Sequence, residues 1–205
     1  KVRVIVPYFP VGTMERISKK GEVATAAYYA DFGLQPTGTA SFATVDGGEQ
    51  LKIVPAQSRR LVEISIGADD ADDLARVASR LRALDFEVVQ DDSSVTAEEP
   101  VAGFRAVVRV APRLEQPELP ATPYNGVGRV ERTEPRAPGI VREGPVRPRK
   151  LGHVVIGSVD MEATQRFFTE GLGFKVSDRI VGTGAFLRCS TDHHNVLVAA
   201  APANF

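Results

Sequence analysis

The sequence predicts an α+β fold built from a repeated module in which one strand is followed by a helix and then by further strands. Three observations support this prediction. Apolar residues alternate with polar ones along short segments, they recur at helical spacing between those segments, and the same order of segments occurs three times. The copies span residues 1–54, 61–110 and 151–199. Internal repetition is therefore the main architectural signal.

The first module opens on an alternating segment, residues 1–7, that predicts a strand. Residues 21–32 then place apolar side chains at helical spacing. Two more strands are predicted at residues 41–45 and 50–54, and Asp46-Gly47-Gly48 between them favours a tight hairpin because these residues tolerate positive φ.

The second module repeats this order. A strand at residues 61–66 is followed by Asp69 and Asp70, which are candidate N-caps of a helix. Strands are then predicted at residues 86–89 and 104–110. The predicted helix has one apolar face, formed by Leu74, Val77, Ala78, Leu81 and Leu84.

A proline-rich stretch precedes the third module. Residues 112–148 hold eight of the fourteen prolines, and their apolar residues follow neither strand nor helix spacing. A short edge strand at residues 127–130 is the one element considered there. The third module then has a strand at residues 151–156, a helix capped by Asp160, and strands at residues 185–189 and 195–199. The chain is accordingly divided at residues 1–111, 112–148 and 149–205.

Composition indicates an ordinary globular protein. Hydrophobic residues make up 43% of the chain and charged residues 25%, with a net charge of −1, so a nucleic acid partner is not expected. There is no apolar run of about 18 residues and no leader pattern, which predicts a cytoplasmic protein without a membrane partner. Cys189, in an apolar segment, is predicted to be a buried structural thiol.

All three histidines lie in the third module. On a strand, His153 would share a face with Leu151 and Val155, where it is either a core imidazole bonded to a backbone carbonyl or a functional group. His193 and His194 are adjacent, so on a strand they would point in opposite directions and at most one would face a site. The alternative is that the pair belongs to a polar turn.

Two segments of this module, LGHVVIGSVDMEATQRFFTEGLGFKVSD and FLRCSTDHHNVLV, resemble the opening of the catalytic domain of type I extradiol catechol dioxygenases. These enzymes belong to the vicinal-oxygen-chelate superfamily, with glyoxalases and bleomycin-resistance proteins. The resemblance implies paired β-α-β-β-β modules with mixed and antiparallel curved sheets. It also implies Fe(II), or Mn(II) in some members, held by two His and one carboxylate.

Carried over by position, the resemblance makes His153 the first metal ligand and His194 the acid/base that acts on the bound diol. His193 has no ligand role in the pattern. Residues 1–111 then correspond to the non-catalytic module pair, and residues 149–205 to the first module of the metal-binding domain. The second His ligand and the Glu ligand are expected after Phe205, so the chain is expected to be a truncated form with one ligand of three.

The implied function is extradiol cleavage of a catechol-type diol by O2, as in the catabolism of aromatic compounds. Two alternatives stay open: a glyoxalase-like metal-dependent isomerase or lyase, and a non-enzymatic binding protein of the bleomycin-resistance type. Phe174 and Phe186 are candidates for an aromatic pocket, although core positions are commoner for such residues. An incomplete metal-binding domain would expose apolar strands, so a homo-oligomer is expected.

Overall fold

The structure is a computed structural model that describes residues 2–8, 29–55, 60–115, 118, 125–131 and 147–204. Most of the helix predicted at residues 21–32 lies outside these ranges, and its last turn is helical at residues 29–31. In the described ranges no helix is both long enough and apolar enough to cross a membrane.

Besides the helical turn at residues 29–31, the described ranges contain twelve strands and two α-helices, divided among the three modules. The first module contains β1 (Val2–Tyr8), β2 (Gln35–Pro36), β3 (Ser41–Thr44) and β4 (Gly48–Pro55). The second contains β5 (Glu63–Ala68), α1 (Ala71–Ala83), β6 (Val89–Gln90), β7 (Ser94–Glu99) and β8 (Phe104–Val110). The third contains β9 (Val154–Ser158), α2 (Met161–Arg166) with a π-helical turn (Phe167–Gly171), β10 (Lys175–Ile180), β11 (Gly184–Arg188) and β12 (Val196–Ala200).

All three modules share one strand topology. In each, the first strand pairs in parallel with the last, and the remaining strands pair antiparallel in sequence order. The first two modules join through antiparallel pairing of β1 with β5 into one sheet, β2-β3-β4-β1-β5-β8-β7-β6, and the third forms the sheet β10-β11-β12-β9. The predicted α+β fold of repeated β-α-β-β-β modules with mixed sheets is confirmed.

Several predicted boundaries were wrong. Of the strand predicted at residues 86–89, only Val89 is in a strand, and β7 and β10 were missed. The alternation of apolar and polar residues that would predict β7 is broken, because the ionisable residue Glu99 points inward with 1% exposure. In β10 nearly every residue is exposed and a bulge interrupts the register, so no alternation of apolar residues marks it.

Helix α1 forms as its sequence predicts. The Asp70 carboxylate accepts a hydrogen bond from the Asp73 backbone N–H at 2.8 Å, which satisfies one of the free donors of the first turn. The chain leaves the helix through Asp85, whose φ of 62° is left-handed. The buried face of the helix consists of Leu74, Val77, Ala78 and Leu81, four of the five predicted residues.

The second and third modules share one hydrophobic core. Phe104 of β8 lies 5.8 Å from Phe168 and 6.1 Å from Phe167, measured between ring centroids, and all three rings are fully buried. A buried hydrogen bond also joins the modules, from the Thr164 hydroxyl to the Glu99 carboxylate at 3.0 Å. The third sheet is therefore packed by its helical side onto the second module.

The described part of the proline-rich stretch contains one isolated β-bridge, between Gly126 and Arg129. It closes a turn on which Val127 and Val130 are largely exposed. The edge strand considered at residues 127–130 is therefore absent from this described turn.

Candidate functional site

The third sheet has one buried face and one accessible face. Ile156, Leu187 and Val196 point into the shared core with 0% exposure. Because side chains alternate along a strand, the neighbouring residues point away from the core. We call this second surface the open face and define it by Val155, Phe186 and Leu197, which the pairing of β9, β11 and β12 brings side by side. Val155 is 44% exposed, and the other two are half-buried.

His153 lies at the edge of the open face. The strand begins three residues later than predicted, at Val154, whose backbone N–H donates to the Asn195 carbonyl at 3.0 Å, so His153 immediately precedes β9. Its side chain is exposed, and its ring lies 4.4 Å from the ring of His194 between centroids, at an interplanar angle of 40°. The alternative of a buried core histidine is therefore wrong.

A compact turn holds His194 beside His153. Asn195 is buried, and its side-chain oxygen accepts hydrogen bonds from the Cys189 backbone N–H at 2.9 Å and from the Ser190 hydroxyl at 3.1 Å. Its own backbone N–H donates to the Leu187 carbonyl at 2.8 Å. These bonds fix the chain between β11 and β12 and so fix the position of His194.

The two adjacent histidines do not point in opposite directions as strand geometry predicted. Their Nδ1 atoms are 3.0 Å apart, and both rings contact Phe186, at centroid distances of 5.7 Å for His193 and 5.0 Å for His194. Strand alternation does not apply, because both residues precede the first residue of β12. The turn interpretation is confirmed, and the turn also gathers both rings at the open face.

The surroundings of His194 favour its neutral form. Removal of water around the ring lowers its pKa, and the nearby imidazoles of His153 and His193 lower it further, whereas Asp192 opposes them. A neutral imidazole has one free nitrogen that can accept a proton. Asp192 itself is held by the Lys150 ammonium at 2.6 Å and 2.7 Å.

The donor set is suited to a transition metal but is incomplete. An exposed imidazole is a common ligand for Fe(II) and Mn(II), so His153 fits as one ligand. In the described ranges, no group of three or more His, Cys, Asp or Glu side chains is placed to hold a metal ion. A facial triad would therefore need ligands from outside the described residues.

Phe186 and Phe174 occupy different environments. Phe186 lies on the open face, and its ring meets that of His194 edge to face at 81°. Phe174 is 4% exposed and packs against Phe168 in the shared core. Of these two rings, Phe186 is therefore the one placed to contact a molecule bound beside the imidazoles.

Cys189 is exposed, so the prediction of a buried thiol was wrong. The protein atoms around its sulfur nevertheless raise the thiol pKa to about 11, chiefly through desolvation. A thiol with this pKa is almost entirely protonated at neutral pH and is therefore a poor nucleophile.

We expect iodoacetamide to alkylate Cys189 at least about ten-fold more slowly than free cysteine near neutral pH, because the smaller thiolate fraction outweighs the higher nucleophilicity of each thiolate. The rate should keep rising with pH towards pH 11, since the raised pKa places the ionisation there. Mass spectrometry of the alkylated protein follows this reaction, and a rate equal to that of free cysteine would contradict the raised pKa.

Residues 150–204 match the family model described as the Glyoxalase/Bleomycin resistance protein/Dioxygenase superfamily. The chain is 29% identical over 159 residues to 2,2',3-trihydroxybiphenyl dioxygenase of Sphingomonas paucimobilis, covering 74% of this chain and 50% of that protein. It is 27% identical over 198 residues to biphenyl-2,3-diol 1,2-dioxygenase of Paraburkholderia xenovorans, covering 88% of this chain and 64% of that protein. The chain thus spans between 50% and 64% of the length of these curated relatives.

Solved structures share the fold. A Mn(II)-bound glyoxalase from Novosphingobium aromaticivorans superposes with a TM-score of 0.66 at 23% identity, covering 98% of this chain and 61% of that chain. The 2,2',3-trihydroxybiphenyl 1,2-dioxygenase of Sphingomonas wittichii superposes with a TM-score of 0.62 at 19% identity, covering 97% and 66%. At these identities the likeness establishes the arrangement of modules.

Proposed function

We propose that the whole protein is an extradiol ring-cleaving dioxygenase acting on a catechol-type diol with Fe(II) and O2, and the match of residues 150–204 to the Glyoxalase/Bleomycin resistance protein/Dioxygenase superfamily model supports this proposal. The observation that carries the proposal is the pair of imidazoles at the open face, with the His153 and His194 rings 4.4 Å apart. The two curated relatives named above are by name dioxygenases of hydroxylated biphenyls, which supports the same reaction class.

His153 is the metal ligand in this proposal. Its imidazole is exposed beside the open face, where a metal held by it would lie within reach of a bound diol. Fe(II) is the proposed ion, and Mn(II) has the same preference for imidazole and carboxylate donors. An ion held there would supply Lewis-acid activation of the diol and electron transfer to O2. The other ligands of a facial triad lie outside the described residues.

His194 is the proton carrier in this proposal. Its lowered pKa keeps it neutral near pH 7, so its free nitrogen can take a proton from one hydroxyl of the diol and later return it. The ring of His153 on one side and the edge of Phe186 on another restrict how the His194 ring can turn. A general base must be held in this way within hydrogen-bonding distance of its substrate.

The open face supplies the apolar contact for the aromatic part of the substrate. Val155, Phe186 and Leu197 are accessible and adjacent to the imidazoles. An aromatic ring placed over them would bury apolar surface and could contact Phe186 edge to face. In the proposed division of the chain, residues 149–205 provide this surface, residues 1–111 form a module pair without catalytic groups, and residues 112–148 connect the two.

A glyoxalase-like isomerase or lyase is the second candidate, because a Mn(II)-bound glyoxalase shares the fold with a TM-score of 0.66. Such a reaction would not consume O2. Both reactions need a proton carrier beside the metal ligand, so the dioxygenase is placed first on the curated relatives, which are dioxygenases by name.

The proposed function is tested by loading the full-length protein with Fe(II) without air and adding O2 with 2,3-dihydroxybiphenyl. We expect one O2 to be consumed for each diol and the product mass to increase by two oxygen atoms. A mono-methyl ether of the same diol is the matched control, because it lacks the second free hydroxyl needed for bidentate binding. An iron-loaded protein that takes up no O2 with any catechol would exclude the dioxygenase proposal.

A further inference from the structure

The segment that leads into His153 is bound to the first module, although the two lie about a hundred residues apart in sequence. Two backbone hydrogen bonds join it to the β3–β4 turn, residues 45–47. The Val45 N–H donates to the Pro148 carbonyl at 3.1 Å, and the Asp46 N–H donates to the Arg149 carbonyl at 2.9 Å. These two bonds attach the segment, which is not itself a strand, to the hairpin of the first module.

Gln50 of β4 makes the contact nearest to the site. Its side-chain oxygen accepts a hydrogen bond from the Leu151 backbone N–H at 2.7 Å and another from the Thr44 hydroxyl at 2.7 Å. The Thr44 hydroxyl in turn accepts from the Gly47 backbone N–H at 3.1 Å. Gln50 is 1% exposed. Two hydrogen bonds to a buried amide oxygen fix the position of that side chain firmly, because water does not compete for them.

The turn has no room for a larger residue at position 47. A Cβ added to Gly47 would overlap the Gln50 side chain and the Thr44 hydroxyl oxygen. Glycine at position 47 therefore leaves the space that the Gln50 and Thr44 side chains need in order to form their hydrogen bond.

Anchors on both sides leave little freedom for His153. Leu151 is bound to Gln50, and Val154 is bound to the Asn195 carbonyl, so only Gly152 and His153 lie between two fixed backbone amides. Gly152 has open space around it and adds no restraint of its own. The backbone position of His153 is therefore set by these two anchors.

Two ion pairs reinforce the same segment. Arg149 Nε lies 2.6 Å from the carboxylate of Asp46 in the β3–β4 turn, whose side chain is 11% exposed. Lys150 Nζ lies 2.6 Å from the carboxylate of Asp192 in the turn that carries His194. One short segment is thus bound to the first module through Arg149 and to the turn that carries His194 through Lys150.

We propose that Gln50 is a positioning residue for the metal ligand His153, so that the first module, which has no imidazole of its own, sets the geometry of the metal site. This inference rests on the proposed function for the role of His153. Gln50 acts through the Leu151 amide and touches neither metal nor substrate. Outer partners that orient a ligand typically change metal affinity by about 10–100-fold when they are removed.

The test compares Gln50→Met, which keeps the length of the side chain but removes the acceptor, with Gln50→Glu, which keeps an acceptor oxygen. Two readouts are used on the full-length protein: Mn(II) affinity, and hydrogen exchange of the peptide that contains Leu151. We expect Gln50→Met to bind Mn(II) about ten-fold or more weakly and to exchange the Leu151 amide about ten-fold or more faster. Gln50→Glu should restore most of both values.

Two further variants separate positioning from general damage. Thr37→Val removes an exposed 3.0 Å hydrogen bond to Glu49 in the same module and should leave both readouts within about two-fold of the wild type. Gly47→Ala should reproduce the effect of Gln50→Met, because its Cβ displaces the Gln50 side chain without removing a polar atom. If Gln50→Met fails to fold, Gly47→Ala is used in its place to test the proposal.

Unchanged Mn(II) affinity and Leu151 exchange in both Gln50→Met and Gly47→Ala would overturn the proposal. An equal loss in Thr37→Val would also overturn it, because the effect would then be general to the module. A wild-type protein that binds Mn(II) but cleaves no diol would refute the dioxygenase function alone, since neither readout depends on turnover.

Discussion

Replacing His194 with Phe in the complete protein is expected to lower ring cleavage by about two to four orders of magnitude while iron content stays near normal. Phenylalanine has no nitrogen to take up a proton, and this range is what the loss of a general acid–base group costs. The ring size is nearly unchanged, so the contacts with Phe186 and His153 are preserved.

The measurement is the steady-state rate of O2 uptake with a saturating diol, together with iron analysis of the same sample. His193→Phe is the matched control, because His193 is in the same turn and also contacts Phe186. We expect the rate of His193→Phe to fall by less than about ten-fold, because His193 contacts His194 but has no catalytic role in the proposal. Turnover of His194→Phe at the wild-type rate would remove His194 from the mechanism.

Replacing His153 with Ala is expected to abolish stoichiometric iron binding and, with it, ring cleavage. Facial chelation needs all three ligands to converge on one ion, and the loss of one imidazole leaves two donors. The side chain is exposed, so its removal leaves no cavity in the core and the fold should be maintained.

Iron content of the purified variant, measured by elemental analysis, checks this prediction, and circular dichroism verifies the fold. His193→Ala is the control for loss of an exposed imidazole from the same surface, and it should retain iron. If His153→Ala keeps one iron per chain, His153 is not a ligand, and the metal site must be sought elsewhere in the protein.

Local patterns were enough to predict much of the fold. The hairpin at Asp46-Gly47-Gly48 forms where the sequence places it, and Gly48 has the positive φ of 60° that such a turn requires. The capped helix α1 buries the predicted face. These elements depend on residues close together in sequence, so a single sequence contains the necessary information.

Strands that break the alternation rule could not be found in this way. In β7 the inward-facing Glu99 is stabilised by the Thr164 hydroxyl from another module and by the Ala102 backbone N–H at 2.6 Å. A buried carboxylate is tolerated only where such donors are supplied, and no local pattern reveals them. The missed strand β10 is exposed along nearly its whole length, so it has no apolar face to detect.

The candidate site shows the same limit. The sequence singled out His153 and His194, whose rings lie 4.4 Å apart in the structure, but strand geometry predicted the wrong orientation for the adjacent rings of His193 and His194. Nothing in the sequence marks Gln50 as important for the site, since a glutamine in an alternating strand is normally a solvated residue. Its importance comes from the Leu151 amide, which lies 101 positions further along the chain.

The sequence by itself determined the repeated module, the hairpin, the capped helices and the imidazoles of one module, because spacing, turn chemistry and capping act between near neighbours. Only the tertiary structure decided that His153 and His194 meet at an accessible face and that Gln50 of the first module holds the segment before His153. The physical reason is that hydrogen bonds and ring contacts between distant segments depend on how the sheets pack and pair, and that arrangement is a property of the whole chain.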